Sequence, residues 1–304
     1  MLELNLEFAR VFVALLGTAF AAIEDWKTSF INDKLMLAMI AGGLLFDVAS
    51  GDVNLIIYSV GGAAAIFAIG WLLYRAGQLG GGDVLLFVGL HLLIPVVPLQ
   101  VVYSAQTALG IGGKFGQVPQ LASIIGLPFA FSVLLAASVF AMMGTSVFYA
   151  RLLFKKGFSP KPDLLLAAPF LLFSGGFLAI AATTFKLSAL QIAFFTLLFA
   201  CGIFLAAFKK QIEDELVIRE IPVKEIEDED VLAIDKMDKK LVEKYGLQKV
   251  LTKEQVQRLK KLQKETGMKK FPVFKLLPRF GPYVMLGLLA CLALGDVLFA
   301  AFLF

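Results

Sequence analysis

Charge is scarce in this sequence, and histidine and cysteine are scarcer. Asp, Glu, Lys and Arg make up 17% of its 304 residues, against about a quarter in soluble domains. That shortage excludes an ordinary soluble enzyme and a disordered tail. A single histidine, His91, excludes a multi-histidine metal site. The two cysteines, Cys201 and Cys291, lie in separate apolar runs with no CxxC or Cys/His spacing, which removes zinc, thiol-redox and disulfide-scaffold readings. No metal and no cofactor are expected. The net charge of +4 does not point to nucleic acid, because basic loops between apolar runs report membrane topology instead.

What is abundant is apolar: 59% of the chain is hydrophobic. The few charges are also crowded together. Residues 209–275 hold 17 Lys and Arg and 14 Asp and Glu, while the rest of the chain has a lipid-facing charge density. The pattern predicts an all-α polytopic membrane protein of about eight transmembrane helices with one small α/β cytoplasmic insert. Apolar runs near the length of about 20 residues that crosses a bilayer fall at 7–23, 34–49, 53–74, 84–102, 121–150, 164–185, 187–208 and 281–304. Three parts follow: a helical core over 1–208, a charged domain over 209–275 and a last transmembrane helix in 276–304. The fifth run contains Pro128, which predicts a tilt or kink, and Lys186 alone separates the sixth from the seventh, as in a tight hairpin. The first run is no cleavable signal, since Glu3 and Glu7 replace the basic start.

Basic residues set the expected orientation. With the N-terminus outside, Lys27, Lys34, Arg75, Arg151, Lys155, Lys156 and Lys161 fall on the inner side. Arg10, Lys114 and Lys186 fall outside, with Asp47 and Asp52 in the second outer loop. This places 209–275 in the cytoplasm of a cell-membrane protein. Inside that segment Val231–Ile234 reads as a short strand, and Thr252-Lys-Glu-Gln255 has capping-box spacing before a stripe of Val256, Leu259 and Leu262. The run Glu225-Ile-Glu-Asp-Glu-Asp230 reads as a solvated loop or as an attractor for a cationic partner.

Ionisable residues within apolar runs are costly and need a reason. Glu24, Asp25, Asp83, His91 and Asp296 qualify. Asp25 closes the first run and Asp83 opens the fourth, so the topology puts both at one membrane depth on the inner side. Two carboxylates at one depth can share a proton, one taking a proton from water while the other protonates a scissile carbonyl. Gly80-Gly81-Gly82 before Asp83 lets an extended chain approach closely, although the same residues also make a flexible turn before an ordinary cap. Lys27 and Lys34 read as headgroup anchors or as partners of a carboxylate; Asp33 reads as a helix cap or as a contact for substrate. His91, about 12 Å deeper than Asp83 on a regular helix, reads as a buried donor satisfied by a neighbouring helix. Asp296 falls near the far face, away from the pair. Glycine pairs at 42–43, 61–62 and 175–176 predict close helix packing.

Gly80-x-Gly82-Asp83 matches the G-x-G-D motif of membrane aspartic proteases, and Asp25-Trp-Lys27-Thr-Ser-Phe-Ile31-Asn-Asp33 resembles the first aspartate motif of the type IV prepilin peptidases. The plan of the chain resembles that family too, most closely its archaeal branch, which processes preflagellins and pilin-like precursors. The resemblance implies an aspartic endopeptidase that removes a short basic leader from a hydrophobic helix at the cytoplasmic membrane face. It implies Asp25 and Asp83 as the catalytic pair; Gly80, Gly81, Gly82, Lys27 and Asp33 are the residues expected to bind substrate. Partners would be the precursor and the bilayer. Three departures stand out. Asn32 replaces the proline of the first motif, Leu85 replaces a lysine common after the second aspartate, and the cysteine-rich region tied to N-methylation is missing, which argues against methyltransferase activity. The competing expectations are a secondary transporter, which would place carboxylates near the midplane of repeated halves, and a non-catalytic membrane scaffold, which would tolerate loss of Asp83.

Overall fold

The computed structural model describes residues 2–110, 128–157, 159, 161–184, 187–227 and 230–295. Helices dominate: α1 (Leu2–Thr28), α2 (Asp33–Ser50), α3 (Val53–Arg75), α4 (Gly81–Leu93), α5 (Leu99–Ala108), α6 (Phe129–Lys155), α7 (Leu164–Thr183) and α8 (Ala189–Ala207) precede the charged segment. Within that segment lie β1 (Ile218–Pro222), β2 (Val231–Leu232), α9 (Lys239–Tyr245), α10 (Lys253–Thr266) and β3 (Lys270–Phe274), and α11 (Gly281–Leu294) follows. Among the described residues, α1, α3, α6, α7 and α8 contain stretches long and apolar enough to cross a bilayer, and α4 and α11 are shorter apolar helices.

Several expected runs take a different shape for identifiable reasons. The run 84–102 is not one helix: α4 stops at Ile94 and α5 starts after Pro98. Pro95 and Pro98 lack the N–H that would continue the ladder. The exposed first turn of α5 is answered instead by Glu7, whose Oε1 accepts the N–H groups of Gln100 and Val101 at 3.1 and 3.3 Å. Pro128 caps α6 from outside and does not bend it. The 18-residue α2 carries three charges, Asp33, Lys34 and Asp47, and is not one of those five long apolar helices. The expected turn at Lys186, the stretch 121–127, Asp296 and the tail 297–304 lie outside the described residues.

The largest core joins α1, α2, α4, α6 and α11 through residues such as Ala14, Met36, Leu86, Leu90, Phe129 and Leu288. Small residues allow the close crossings that lipid-embedded helices use. A Cβ on Gly43 would meet the backbone of Leu92 at 2.6 Å, and one on Gly287 would meet the Ala137 nitrogen at 2.7 Å. Of the glycine pairs expected to pack, Gly43 and Gly62 do so, whereas Gly61, Gly175 and Gly176 face open space. Arg10 and Asp47, assigned by sequence to the outer loops, are instead buried against each other between α1 and α2 at 2.9 Å. The Arg10 guanidinium lies 5.6 Å from the Phe46 ring centre and also reaches the Leu92 carbonyl at 3.4 Å. Asp52, also placed in that loop, caps α3 through the N–H groups of Asn54 and Leu55.

Strands β1, β2 and β3 form a three-stranded antiparallel sheet in the order β1-β3-β2. The expected strand 231–234 is cut to Val231–Leu232. Pro272 of β3 accepts from the Ala233 N–H at 2.9 Å but has no N–H to return. A core of Leu232, Leu251, Leu259, Leu262, Phe271 and Val273 lies beneath the sheet. Half of the expected capping box forms: the Gln255 N–H donates to Thr252 Oγ1, while the Gln255 side chain turns away to the Gly246 carbonyl and the Gln248 N–H. In the acidic run, Asp230 is drawn inward by Lys275, whose Nζ donates to both of its oxygens at 2.8 Å. The segment sits on the end of α6, where Tyr149 and Leu153 pack with Ile212, Leu216, Val217, Phe274 and Leu276.

The buried Arg10–Asp47 pair makes a stability prediction. Asp47→Ala leaves a buried guanidinium unanswered and costs about 3–5 kcal/mol, read as loss of thermal stability in detergent. The double variant Arg10→Leu/Asp47→Leu is less destabilised than Asp47→Ala alone.

Candidate active site

Short connections gather several helix ends. Residues 29–32 join α1 to α2, residues 76–80 join α3 to α4, and the segment after α8 returns to α11. The end of α1, the starts of α2, α4 and α11, and the sheet are therefore brought to one side of the bundle. Asp25 lies in the last turns of α1, and Asp83 lies in the first turn of α4.

Asp25 is buried, with 7% of its surface exposed. Its Oδ2 accepts the backbone N–H of Gly281 at 2.8 Å, across 256 residues of sequence. The contact depends on a missing side chain: a Cβ on Gly281 would stand 3.1 Å from both Cβ and Oδ2 of Asp25. The Arg279 guanidinium lies within electrostatic reach of the same carboxylate. It also donates from Nε to Ser29 Oγ at 3.2 Å and lies 5.8 Å from the centre of the Trp26 ring. Asp83 is half-buried and within electrostatic reach of Asp25. Gly80 is the N-cap of α4 in extended conformation, φ −72° and ψ 149°. The Asp83 carboxylate turns back towards the Gly80 N–H, and a Cβ there would lie 2.9 Å from Oδ2. Gly81 is the first helical residue, and Gly82 abuts Ile31 of the α1–α2 connection, where a Cβ would come within 3.1 Å of Ile31 Cβ.

The remaining candidates separate. Glu24, on a different face of the helix from Asp25, accepts the Asn32 N–H at 2.9 Å and so fixes the connection. Asn32, not Asp33, caps α2 through the Lys34 N–H. Asp33 is the first residue of α2 and is exposed, as are Lys27 and Lys34. His91 is fully buried on α4, edge-on to Tyr58 of α3 with 6.0 Å between ring centres, and Gly62 makes room for it. Among the described residues no cluster of His, Cys, Asp and Glu could hold a metal. The sequence alone gives no sign that Arg279 and Gly281 belong to this site. Gly281-Pro282 marks a helix start, but nothing local ties it to Asp25.

Chemically, two acidic side chains within electrostatic reach of each other, one tethered by a backbone N–H and faced by a cation, can hold and polarise a water molecule. The glycines beside Asp83 leave backbone accessible to an extended chain. On the other side, the stem of Lys249 from the sheet region packs near Gly77, whose Cβ would be 3.1 Å from Lys249 Cδ.

Residues 12–146, which include both aspartates and the Gly80–Gly82 run, match the type IV leader peptidase family. The resemblance carried by those motifs is thereby borne out. The chain is 36% identical over 108 residues to prepilin peptidase EppA of Methanothermobacter thermautotrophicus, a match covering 34% of this chain and 28% of the relative. It is 27% identical over 103 residues to the preflagellin peptidase of Methanococcus maripaludis, covering 33% of this chain and 44% of the relative. Against the preflagellin peptidase of Methanococcus voltae it is 33% identical over 98 residues, 31% of this chain and 42% of the relative. The chain thus spans less than half the length of each of these relatives. No solved structure matches it.

Two glycine substitutions distinguish close contact from open surface. Gly281→Val drives a side chain into Asp25 and lowers stability by about 1–3 kcal/mol, whereas Gly61→Ala, facing open space, is neutral or stabilising. Thermal unfolding of the purified variants reads the difference.

Proposed function

We propose, on the match of residues 12–146 to the type IV leader peptidase family, that this protein is a membrane-embedded aspartic endopeptidase. Its substrates are type IV prepilin-like or preflagellin precursors, cut between a short basic leader and a hydrophobic helix. Asp25 and Asp83 are the catalytic pair. The observation that supports this reading is that match, which spans both aspartates, each standing at the end of an apolar helix, Asp25 buried and Asp83 half-buried.

Two neighbouring carboxylates share a proton, because both cannot ionise at short range. Water held between them loses a proton to the ionised member while its oxygen bonds to the scissile carbonyl carbon. The protonated member gives its proton to the carbonyl oxygen. Collapse of the resulting gem-diol returns that proton and delivers the other to the leaving nitrogen, so both carboxyls regain their starting states. The reaction needs no metal, and no N-methyltransferase activity accompanies it.

The substrate helix enters sideways from lipid, and its unwound segment lies along Gly80, Gly81 and Gly82. Lys27 and Asp33, exposed beside the pair, contact the leader. About eight spans cross the cell membrane, with α2, the α4–α5 pair and α11 added to the five long helices. The N-terminus lies outside. Residues 209–275 form a cytoplasmic domain between the core 1–208 and the last span in 276–304, supported by the seven basic residues on that side.

A precursor-like peptide with a basic leader, offered to the protein in liposomes, is cut by wild type. Asp25→Asn and Asp83→Asn each lower cleavage by about 10²–10⁴-fold. Glu24→Gln keeps an acceptor for the Asn32 N–H and stays active. Cleavage that survives either Asp change removes that residue from the pair, and a functional Asp83→Asn protein favours the scaffold.

A further inference from the structure

We propose that Arg279, two residues before the N–H that binds Asp25, is a positioning residue for hydrolysis: it fixes the end of α1 and sets a permanent positive charge opposite the Asp25 carboxylate. This rests on the assignment of Asp25 and Asp83 as the catalytic pair.

Two contacts define the role. The guanidinium lies 5.8 Å from the centre of the Trp26 ring and donates to Ser29 Oγ at 3.2 Å, within electrostatic reach of Asp25. Trp26 and Ser29 follow Asp25 by one and four residues, so Arg279 grips the helix end just beyond the carboxylate it faces. Its own backbone is anchored on both sides. Upstream, the Leu276 carbonyl accepts from Tyr149 Oη at 3.1 Å; downstream, the Gly281 N–H donates to Asp25 Oδ2. Arg279 thus sits in a short corner pinned to α6 and to α1. Arginine suits the place because its planar group can stack and donate at once, while lysine supplies the charge without the fork.

The arrangement also separates the two carboxylates chemically. Each carboxylate meets a backbone N–H, Gly281 for Asp25 and Gly80 for Asp83, but the cation stands beside Asp25. The fixed cation of the site thus stands on the Asp25 side of the pair, at the end of α1.

The test uses the full-length protein in liposomes with the precursor-like peptide. Arg279→Gln lowers kcat by about 10–100-fold with KM unchanged. Arg279→Lys recovers part of the loss, and adding Arg279→Gln to Asp25→Asn costs nothing more. Ser29→Ala, which frees the guanidinium from one anchor, lowers kcat by less in the same direction and decides the matter if Arg279→Gln does not fold. A wild-type kcat in Arg279→Gln, a change confined to KM, or a lysine variant as inactive as the glutamine variant overturns the role of Arg279. Should Asp25→Asn itself cleave, the assignment of the pair fails, which is a different result from an active Arg279→Gln beside an inactive Asp25→Asn.

Discussion

A carboxylate buried at the end of an apolar helix must have its charge answered, and the architecture of this protein follows from how that is done. Asp25 sits on the first helix; the groups that answer it, the Gly281 N–H and the Arg279 guanidinium, come from the start of the last. Charge burial in a low-dielectric surrounding costs several kcal/mol when nothing compensates it. The chain therefore has to return α11 to α1. Gly281 is small because any side chain there would strike Asp25, and the packing of α11 against α6 through Gly287 carries the last helix into the same core.

The same rule operates at the other end of α1. Arg10 and Asp47 answer each other in the interior, and Glu7 answers the open first turn of α5. The first helix thus carries polar contacts near both termini and apolar packing between. The charged segment between α8 and α11 fits this plan as more than a tether. It is seated on α6 through Tyr149 and Leu153, its Lys249 stem lies near Gly77 ahead of Asp83, and β3 leads directly into the corner that holds Arg279. Movement of the sheet would reach Asp25 through the corner that ends in the Gly281 N–H, and the segment ahead of Asp83 through the packing of Lys249 near Gly77.

Local patterns were legible in the sequence, and distant pairings were not. Apolar runs located α3 and α8 to within a residue or two, because uninterrupted hydrophobicity of that length has few other uses. Asp25 and Asp83 stood out since charge next to such runs is rare. The run 84–102 misled because hydropathy does not register that Pro95 and Pro98 interrupt a backbone ladder. The strand after Val231 was overestimated because its limit is set by Pro272, some forty residues away in β3. Arg10 and Asp47 read as separate charges on the outer side, although the fold buries them against each other. Arg279 carried no signal at all: beside a charged segment it looks like any flanking basic residue, and its meaning depends on a contact with the other end of the chain.

The most direct test of a shared site is whether the two carboxylate positions face each other across α1 and α4. In a protein with Cys201 and Cys291 changed to Ser, Asp25→Cys and Asp83→Cys are introduced together, treated with a short bifunctional thiol reagent, and analysed after cleavage of the chain between them. A shared site predicts a covalent link between the two fragments in high yield, well above that of the neighbouring Glu24→Cys/Asp83→Cys combination. Two reactive thiols that remain unlinked, or that link no better than the Glu24 combination, would contradict it.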